Sequence, residues 1–207
     1  KKAAEVLHRC KAHIEEFKPI RTLEISEEDH KHIADLMLLT EKPVMYVCNV
    51  DENSAVNGNT HSKAVEVALA GNGAEIVTVA GKLEADIAEL DSEEDRTAFL
   101  QDVGLTEPSV HKLINSAYKL LNLISFFTVG GKENRAWSIR KGATAPQAAG
   151  AIHSDLERGF IRAEVFKYSD LVQYGSEQKC KESGKMSVEG KNYIIEDGDI
   201  INIRFNV

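Results

Sequence analysis

The sequence predicts an α/β segment followed by an α+β domain: a partial parallel sheet with helices, then a small mixed sheet wrapped round one helix. Residues 44–50 are a nearly unbroken apolar run, residues 75–79 read as a second buried strand, and a helical pattern follows each of them. Such runs are typical of parallel strands that are buried on both faces and joined by a crossover helix. The last third of the chain shows a hairpin, a helix and further short strands, which predicts the second part.

Composition limits the class of protein. The 207 residues have a net charge of −8 and enough apolar side chains for a packed core. Cys10, Cys48 and Cys180 form neither a CxxC pair nor a zinc-ligand spacing, so we expect no disulfide framework and no metal site. Because no apolar run approaches the roughly 20 residues of a membrane span and no signal-peptide pattern opens the chain, we expect a soluble cytoplasmic protein.

The acidic residues are unevenly distributed. They are concentrated within 84–107, a pattern that usually indicates a solvated helix face. From residue 123 onward positive and negative side chains nearly balance. Any polyanionic partner is therefore expected to bind the last third of the chain.

The chain opens with helical patterns. Apolar residues recur at helical spacing through 1–17, and Pro19 ends this helix. Because no capping residue precedes the helix, we expect it to begin within a longer helical element. Ser26 and the three acidic residues after it predict a second helix that continues to about Thr40.

Residues 41–122 alternate strand and helix patterns. The expected elements are strand 44–50, helix 60–70 capped by Thr60 and closed by Gly71-Asn72-Gly73, strand 75–79, and helices 83–90, 92–103 and 108–121. Two strands do not make a free-standing doubly wound domain.

The last third predicts a sheet around one helix. The expected elements are strand 123–129, turn 130–134, strand 136–140, helix 145–154, strand 160–166, helical turn 169–174, and strands 191–195 and 200–207. Thr144 is the predicted N-cap of the helix, with Pro146 near its first position, and Gly159 prevents its continuation. Trp137 is expected in the core. This order of elements is typical of the β-grasp, ubiquitin-like arrangement.

Residues 135–165 carry a resemblance. This segment is similar to a TGS domain, in the version that closes the YchF or Obg-like ATPase family, and further similarity lies at 184–186, 189–194, 197–199 and 205–207. The resemblance implies three parts: the end of a helical insert (1–40), the C-terminal half of a P-loop nucleotide-binding domain (41–122) and a TGS domain (123–207). A TGS domain occurs beside several kinds of enzyme, so the domain alone leaves function open.

The strongest candidate site is Asn49-Val50-Asp51-Glu52, directly after the first buried strand. Ligands of open α/β sheets bind at the carboxyl ends of strands. P-loop GTPases carry Asn-Lys-x-Asp here, and this sequence resembles the Asn-x-x-Glu variant of the YchF family, which implies ATP as the preferred nucleotide. Asn49, Val50 and Glu52 are then the base-binding residues, main-chain groups around Asn49 and Val50 reading adenine, and 79–84 is a second base-contacting loop. The alternative is a polar turn that only ends the strand.

The sequence contains no Gly-x-x-x-x-Gly-Lys-Ser/Thr motif. That loop supplies the groups that hold the triphosphate and Mg²⁺, so we expect this chain not to hydrolyse nucleotide and assign no catalytic residue. ATP or GTP with Mg²⁺ is expected as cofactor in an intact protein, with none bound to these residues. We therefore expect a C-terminal piece of a longer protein.

The resemblance implies the ribosome or RNA as partner. Arg135, Arg140, Lys141 and Arg162 are the candidate contacts for RNA phosphates, and a mixed solvated surface is the alternative. A different class of function also stays open: a stand-alone β-grasp adaptor that binds RNA or protein without nucleotide. His153 is expected beside a helix cap and not in catalysis.

Overall fold

The computed structural model describes residues 1–71, 74–129 and 133–206, and the chain divides into two compact units, Lys1–Leu120 and Leu121–Val207. The helices of the first unit are α1 (Lys2–Glu15), α2 (Glu27–His30), α3 (Thr60–Leu69), α4 (Gly81–Ala88), α5 (Glu93–Asp102) and α6 (Ser109–Leu120). Its strands are β1 (Met45–Asn49) and β2 (Glu75–Val79).

The N-terminal helices form a small core of their own. Val6 and Cys10 of α1 pack against Ile20 and Ile33. Ser26 caps α2 as predicted, since its Oγ accepts a hydrogen bond from the third helical N–H. The prediction of one helix to about Thr40 is wrong, because α2 ends at His30 and two 3₁₀ turns, Ala34–Leu36 and Leu39–Glu41, follow it.

The prediction of a parallel sheet is confirmed. β1 and β2 pair in parallel, with a register that runs from Met45 opposite Glu75 to Asn49 opposite Val79. Burial of β1 on both faces was wrong, because Tyr46 is 36% exposed and Val47 48% exposed. Among the described residues the sheet has only these two strands, so no strand pairs with the outer edge of β1.

The helices after each strand lie close to their predicted positions. The cap of α3 is Asn59, one residue before the predicted Thr60, and its Oδ1 accepts from the N–H groups of His61 and Ser62 at 3.0 Å. The predicted closure of α3 at 71–73 falls partly outside the described residues. α4 and α5 bury one apolar cluster between them, formed with neighbouring loop residues: Ala55, Ala80, Leu83, Ile87, Leu100 and Leu105.

The second unit is a five-stranded mixed sheet in the order β4-β3-β7-β5-β6. Its strands are β3 (Leu123–Thr128), β4 (Arg135–Arg140), β5 (Phe160–Lys167), β6 (Ser187–Glu189) and β7 (Asp199–Phe205), and its helices are α7 (Ala145–Ile152), α8 (Ser154–Arg158), α9 (Tyr168–Tyr174) and α10 (Glu177–Glu182). Neighbouring strands are antiparallel except β3 and β7, which are parallel.

Both faces of this sheet are covered. α7 buries Ala145, Ala148 and Ala149 against one face, together with Phe126 and Val165. On the other face Phe166 and Ile200 pack against Cys180 of α10 and Leu171 of α9. Strand side chains alternate between the faces, so each of β5 and β7 contributes to both clusters.

Several details of the second unit differ from the sequence prediction. Residues 191–195 form no strand: Ile194 makes an isolated bridge to Thr144, and β6 lies at Ser187–Glu189 instead. The predicted helix 145–154 is interrupted at His153, whose Nδ1 accepts from Asp155 N and caps α8. Trp137 is only partly buried against the core. Residues 130–132 of the predicted turn lie outside the described residues.

Candidate functional site

The candidate base-recognition loops follow β1 and β2, and the parallel pairing brings them to the same edge of the sheet. Asn49 ends β1, and its side-chain Oδ1 accepts a hydrogen bond from the backbone N–H of Gly81 at 3.0 Å. The N–H of Val50 donates to the carbonyl oxygen of Val79 at 2.9 Å. The two loops are therefore fastened to each other by one side-chain and one main-chain bond.

The loop after β1 turns immediately into a short 3₁₀ helix, Glu52–Ser54. Asp51 receives hydrogen bonds from the hydroxyl of Ser54, at 3.1 and 3.0 Å to its two carboxylate oxygens, so it stabilises the turn. Glu52 is exposed and forms no hydrogen bond or ion pair through its carboxylate with the described residues. A carboxylate without a partner among the described residues thus lies three residues after Asn49, beyond the carboxyl end of β1.

Main-chain donors of this loop differ in availability. The N–H of Val50 is engaged with Val79, so this one donor is not available to a base. The N–H groups of Asp51 and Glu52 donate to no acceptor among the described residues. Main-chain recognition of a base would therefore use the carbonyl of Val50 and the N–H groups of the two residues after it.

The second loop is anchored by apolar side chains. Ala80 and Leu83 are buried in the cluster beneath α4, and Glu84 Oε1 accepts from the backbone N–H of Ser109 at 2.7 Å, at the start of α6. Gly81 is close to Asn49, since a Cβ added there would lie 3.1 Å from its Oδ1. Gly81 lies within the predicted second loop, 79–84, but its contact with Asn49 was not predicted.

The described residues include the loop after Asn49 but no group that would hold the phosphates of a nucleotide. The loop after Asn49 presents the unengaged N–H groups of Asp51 and Glu52 and the exposed Glu52 carboxylate. The sequence has no P-loop, and among residues 1–71, 74–129 and 133–206 no three His, Cys, Asp or Glu side chains form a possible metal site. The residues that would hold a triphosphate and Mg²⁺ are not found in this chain, and we derive no hydrolytic step from it.

The four candidate RNA contacts lie on or beside β4 and β5, which are not neighbours in the sheet. Arg135 forms an ion pair with Glu133 at 3.0 Å, and its guanidinium carbon lies 5.6 Å from the ring centroid of Trp137. Its charge therefore already interacts with neighbouring residues of the chain. Arg140 and Lys141 adjoin each other at the end of β4 and line a shared depression. Arg162 lies on β5, two strands away from β3, opposite Arg204 in the register.

A buried acidic centre in the second unit was missed by the sequence analysis. The carboxylate of Asp199 is 0% exposed and accepts hydrogen bonds from Lys167 Nζ at 2.6 Å, Tyr193 OH at 2.9 Å and Glu196 N at 2.9 Å. Burial lowers the pKa of Lys167, but its bonds to Asp199 and Glu196 outweigh burial and raise that pKa above its ordinary value. The three partners of Asp199 are complementary donors, which indicates a structural centre that fixes the 193–199 segment.

Comparisons with known proteins match almost the whole chain. Residues 123–206 match the sequence family YchF-GTPase_C, described as a protein of unknown function (DUF933). "Ribosome-binding ATPase YchF" of Escherichia coli O157:H7 is 48% identical over 202 residues, which cover 98% of this chain and 55% of that protein. The protein of the same name from Bacillus subtilis (strain 168) is 45% identical over 205 residues, which cover 98% and 56%. The chain is homologous to the C-terminal part of YchF.

Solved structures agree with this relationship. The Schizosaccharomyces pombe YchF GTPase superimposes with a TM-score of 0.85 at 32% identity, over 97% of this chain and 53% of that one. A GTP-binding protein from Pyrococcus horikoshii OT3 shares the fold, with a TM-score of 0.55 at 19% identity over 99% of this chain and 56% of that one. The chain spans about half the length of the curated YchF relatives that it matches.

The relationship to YchF assigns no role to the residues of the candidate site. The bacterial relatives are named ATPases and the fission-yeast relative a GTPase, so the names of the relatives differ in the nucleotide that they give. Among the described helices, none combines the length and the apolar composition needed to cross a bilayer.

Proposed function

We propose that this chain is the C-terminal part of a ribosome-associated P-loop nucleotide hydrolase of the YchF family, and that hydrolysis depends on a P-loop half outside these residues. In this proposal 1–40 ends a helical insert, 41–122 is the second half of the nucleotide-binding domain, and 123–207 is the docking domain. The observation that carries the proposal is the parallel β1–β2 pair, with Asn49 bonded to Gly81 across the carboxyl edge. Base-recognition loops in open α/β sheets occupy this position.

The exposed side of β1 supports an incomplete sheet. Tyr46 and Val47 are large apolar residues in a strand that reads as buried, and no strand pairs with the outer edge of β1 among the described residues. Two-stranded sheets of this kind are marginal alone. The YchF relatives are about twice as long, which leaves enough chain for the additional strands and the P-loop.

ATP is the proposed nucleotide, in preference to GTP. In an Asn-Lys-x-Asp loop the aspartate accepts from the guanine N1–H and the exocyclic amine, whereas Glu52 has a longer side chain that is poorly placed for this pair of bonds. Adenine presents an amino donor and a ring acceptor, which complement the carbonyl of Val50 and the free N–H groups of Asp51 and Glu52. Asn49 holds the second loop in place and leaves recognition of the base to its neighbours.

The second unit is proposed to be a TGS domain with the β-grasp fold, acting as the module that docks on the ribosome. A hairpin, a helix packed on the sheet, and a final strand that runs parallel to the first support this assignment. The relatives named ribosome-binding ATPases support the partner. Arg140 and Lys141, and Arg162 on β5, remain the candidate contacts, while Arg135 is paired with Glu133.

Nucleotide titration tests the proposal. Labelled ATP and GTP are titrated into this chain and into the longer protein that includes the P-loop half, with binding followed by fluorescence anisotropy. We expect ATP-preferring binding in the longer protein and little or no binding here, whereas a stand-alone adaptor would show no nucleotide dependence in either form. A GTP preference in the longer wild-type protein would contradict the role of Glu52.

A pair of substitutions sharpens that test. Val50→Lys combined with Glu52→Asp restores Asn-Lys-x-Asp and should shift the longer protein toward GTP. Glu89→Asp makes the same carboxylate change on the exposed end of α4 and should leave the ATP-to-GTP ratio unchanged. An unchanged ratio in the double variant would mean that this loop does not select the base.

A further inference from the structure

The cations of the second unit fall into two groups. Arg135, Arg158, Lys167, Lys185 and Arg204 each form an ion pair with a carboxylate. Arg140 and Lys141 form no ion pair among the described residues, and they are consecutive in the chain. Two adjacent cations without a carboxylate partner form a local region of positive potential.

These two cations line a concave surface. A depression of about 390 Å³ lies at the turn from β4 to α7 and is lined by Ile139, Arg140, Lys141, Gly142, Ala143 and Gln147. No carboxylate lines it. Besides the guanidinium and the ammonium, the N–H of Gly142 donates to no acceptor among the described residues. The depression therefore presents several hydrogen-bond donors and a charge of +2.

The amide of Gln147 adds a further donor. Its Oε1 accepts from Thr144 N at 2.8 Å and from Thr144 Oγ1 at 3.2 Å, so this oxygen is already used by the cap of α7. The Nε2 group has no acceptor among the described residues. The amide oxygen of Gln147 is therefore engaged by the helix cap at Thr144, and its NH₂ group remains a possible donor to a ligand.

The turn that carries these groups is held at both ends. Lys141 N donates to Asn122 O at 2.8 Å, and Ile195 N donates to Ala143 O at 3.0 Å. Between them Gly142 has φ +90°, a left-handed conformation that favours glycine. A fixed backbone lowers the entropy lost when a ligand orders the two side chains.

We propose that the depression at Arg140–Lys141 binds a phosphate group of ribosomal RNA, and that this contact is a specific anchor of the second unit on the ribosome. The inference rests on the proposed docking function and adds the chemistry of the contact. A phosphodiester is an oxygen-rich anion that accepts from a guanidinium, an ammonium and amide donors at once. The open depression suits a phosphate carried on a strand that lies across it.

Ribosome binding by the chain as it exists tests this inference. Cosedimentation with ribosomes gives the Kd at several KCl concentrations for wild type and for Arg140→Ala/Lys141→Ala. Each single-strand phosphate contact contributes about −0.7 to the slope of log K against log salt, so the loss of two contacts should reduce the slope by about 1.4. We expect binding to weaken by roughly tenfold at moderate salt.

The matched control is Lys179→Ala/Lys181→Ala. These lysines also form no ion pair among the described residues, and they lie on α10, which packs on the face of the sheet opposite α7. The control removes the same charge and should keep the wild-type salt slope. Equal losses in the two double variants would reduce the site to a general charge effect and overturn the inference.

Competitors identify the source of the anion. A ribosomal RNA fragment should displace labelled chain from ribosomes, whereas inorganic phosphate, ATP and poly-glutamate at matched charge should not. If poly-glutamate displaces the chain as effectively as RNA, the partner is an acidic protein. If inorganic phosphate or ATP saturates the site, the ligand is a small anion. Either result overturns the RNA assignment.

If wild type binds ribosomes and the double variant binds equally well, only this inference fails. If wild type does not bind at all, the proposed docking function fails with it.

Discussion

Asn49 and Gly81, 32 residues apart, are joined by a hydrogen bond of 3.0 Å from the glycine N–H to the asparagine Oδ1. Gly81 is also the first residue of α4, so the bond ties the end of β1 to the start of the helix that follows β2. The parallel register alone would place the two loops side by side. The side-chain bond additionally fixes the distance between them, which a ligand that touches both loops requires.

Removal of this bond should affect stability slightly and ligand binding more. Asn49→Ala should lower the free energy of unfolding by about 1 kcal/mol or less, because the freed N–H of Gly81 regains water at an exposed site. In the longer protein we expect a clear loss of ATP affinity. Urea unfolding and ATP titration measure the two effects. Asn49→Asp keeps an acceptor oxygen and should retain most of the stability; equal destabilisation by Asp and Ala would show that the acceptor is not what matters.

Replacement of Asp199 should destabilise the second unit. Asp199→Asn removes the charge that holds the ammonium of Lys167 and weakens the bond from Tyr193. Breaking a buried ion pair costs about 3–5 kcal/mol. Since the Lys167 side chain keeps 40% of its exposure and can be solvated, we expect a smaller loss, about 2 kcal/mol.

Urea unfolding of Asp199→Asn and Glu196→Gln separates the buried partner of Lys167 from the exposed one. The Glu196 side chain is 69% exposed, and an exposed ion pair contributes about 1 kcal/mol or less. Equal losses in the two variants would contradict the view that burial of Asp199 makes its contact the stronger one.

The elements of the fold were largely predictable because local patterns specify them. The apolar run before Asn49 indicated a parallel strand, and the Thr144–Gln147 pattern located the start of α7. The predicted second helix is wrong after His30, where α2 ends, and Met37 further along takes a left-handed backbone with φ +47°, which no local signal at a methionine predicts. Packing of Ile33 in the N-terminal core outweighs the helical propensity of the segment there.

The candidate site was predictable only in part. Its place at the carboxyl end of β1 followed from the strand pattern, and the identity of Asn49 was visible in the motif. The bond from Gly81 to Asn49 depends on a residue at another strand–helix junction. The hydrogen bond from the Val50 N–H to Val79 O depends on the register of β1 and β2. Such long-range contacts are not encoded in the spacing of residues along one loop.

Alkaline pH should weaken the second unit through the same acidic centre. Burial and the hydrogen bond to Asp199 raise the pKa of Tyr193 to about 12, from an ordinary value near 10. The folded state therefore retains a proton that the unfolded state releases, so this contribution is complete below pH 10 and is lost as pH rises toward 12. Lys167, whose pKa is also raised, acts in the same direction.

Urea unfolding at pH 9, 10 and 11 measures this dependence. The free energy of unfolding of wild type should fall more steeply above pH 10 than that of Tyr193→Phe, which has no phenol to ionise. The two proteins share every other titrating group, so the difference between their slopes isolates Tyr193. Parallel slopes above pH 10 would contradict a raised pKa for this tyrosine.

Gly159 is required by a close approach of two backbones. The sequence suggests that it only prevents continuation of a helix, but a Cβ at this position would overlap the carbonyl group of Asn206, whose N–H in turn donates to Gly159 O at 2.9 Å. The backbone of Asn206 cannot move away without disturbing the β5–β7 pairing beside it. Gly159→Ala should therefore destabilise the protein by about 1–3 kcal/mol, measured by urea unfolding.

Gly190→Ala is the matched control, because a Cβ there meets no atom within 4 Å and φ is not positive, so the change should stay within about 0.5 kcal/mol. If Gly159→Ala were as mild as this control, the contact with Asn206 could open at little cost, and the end of β7 would be held by its other strand bonds alone.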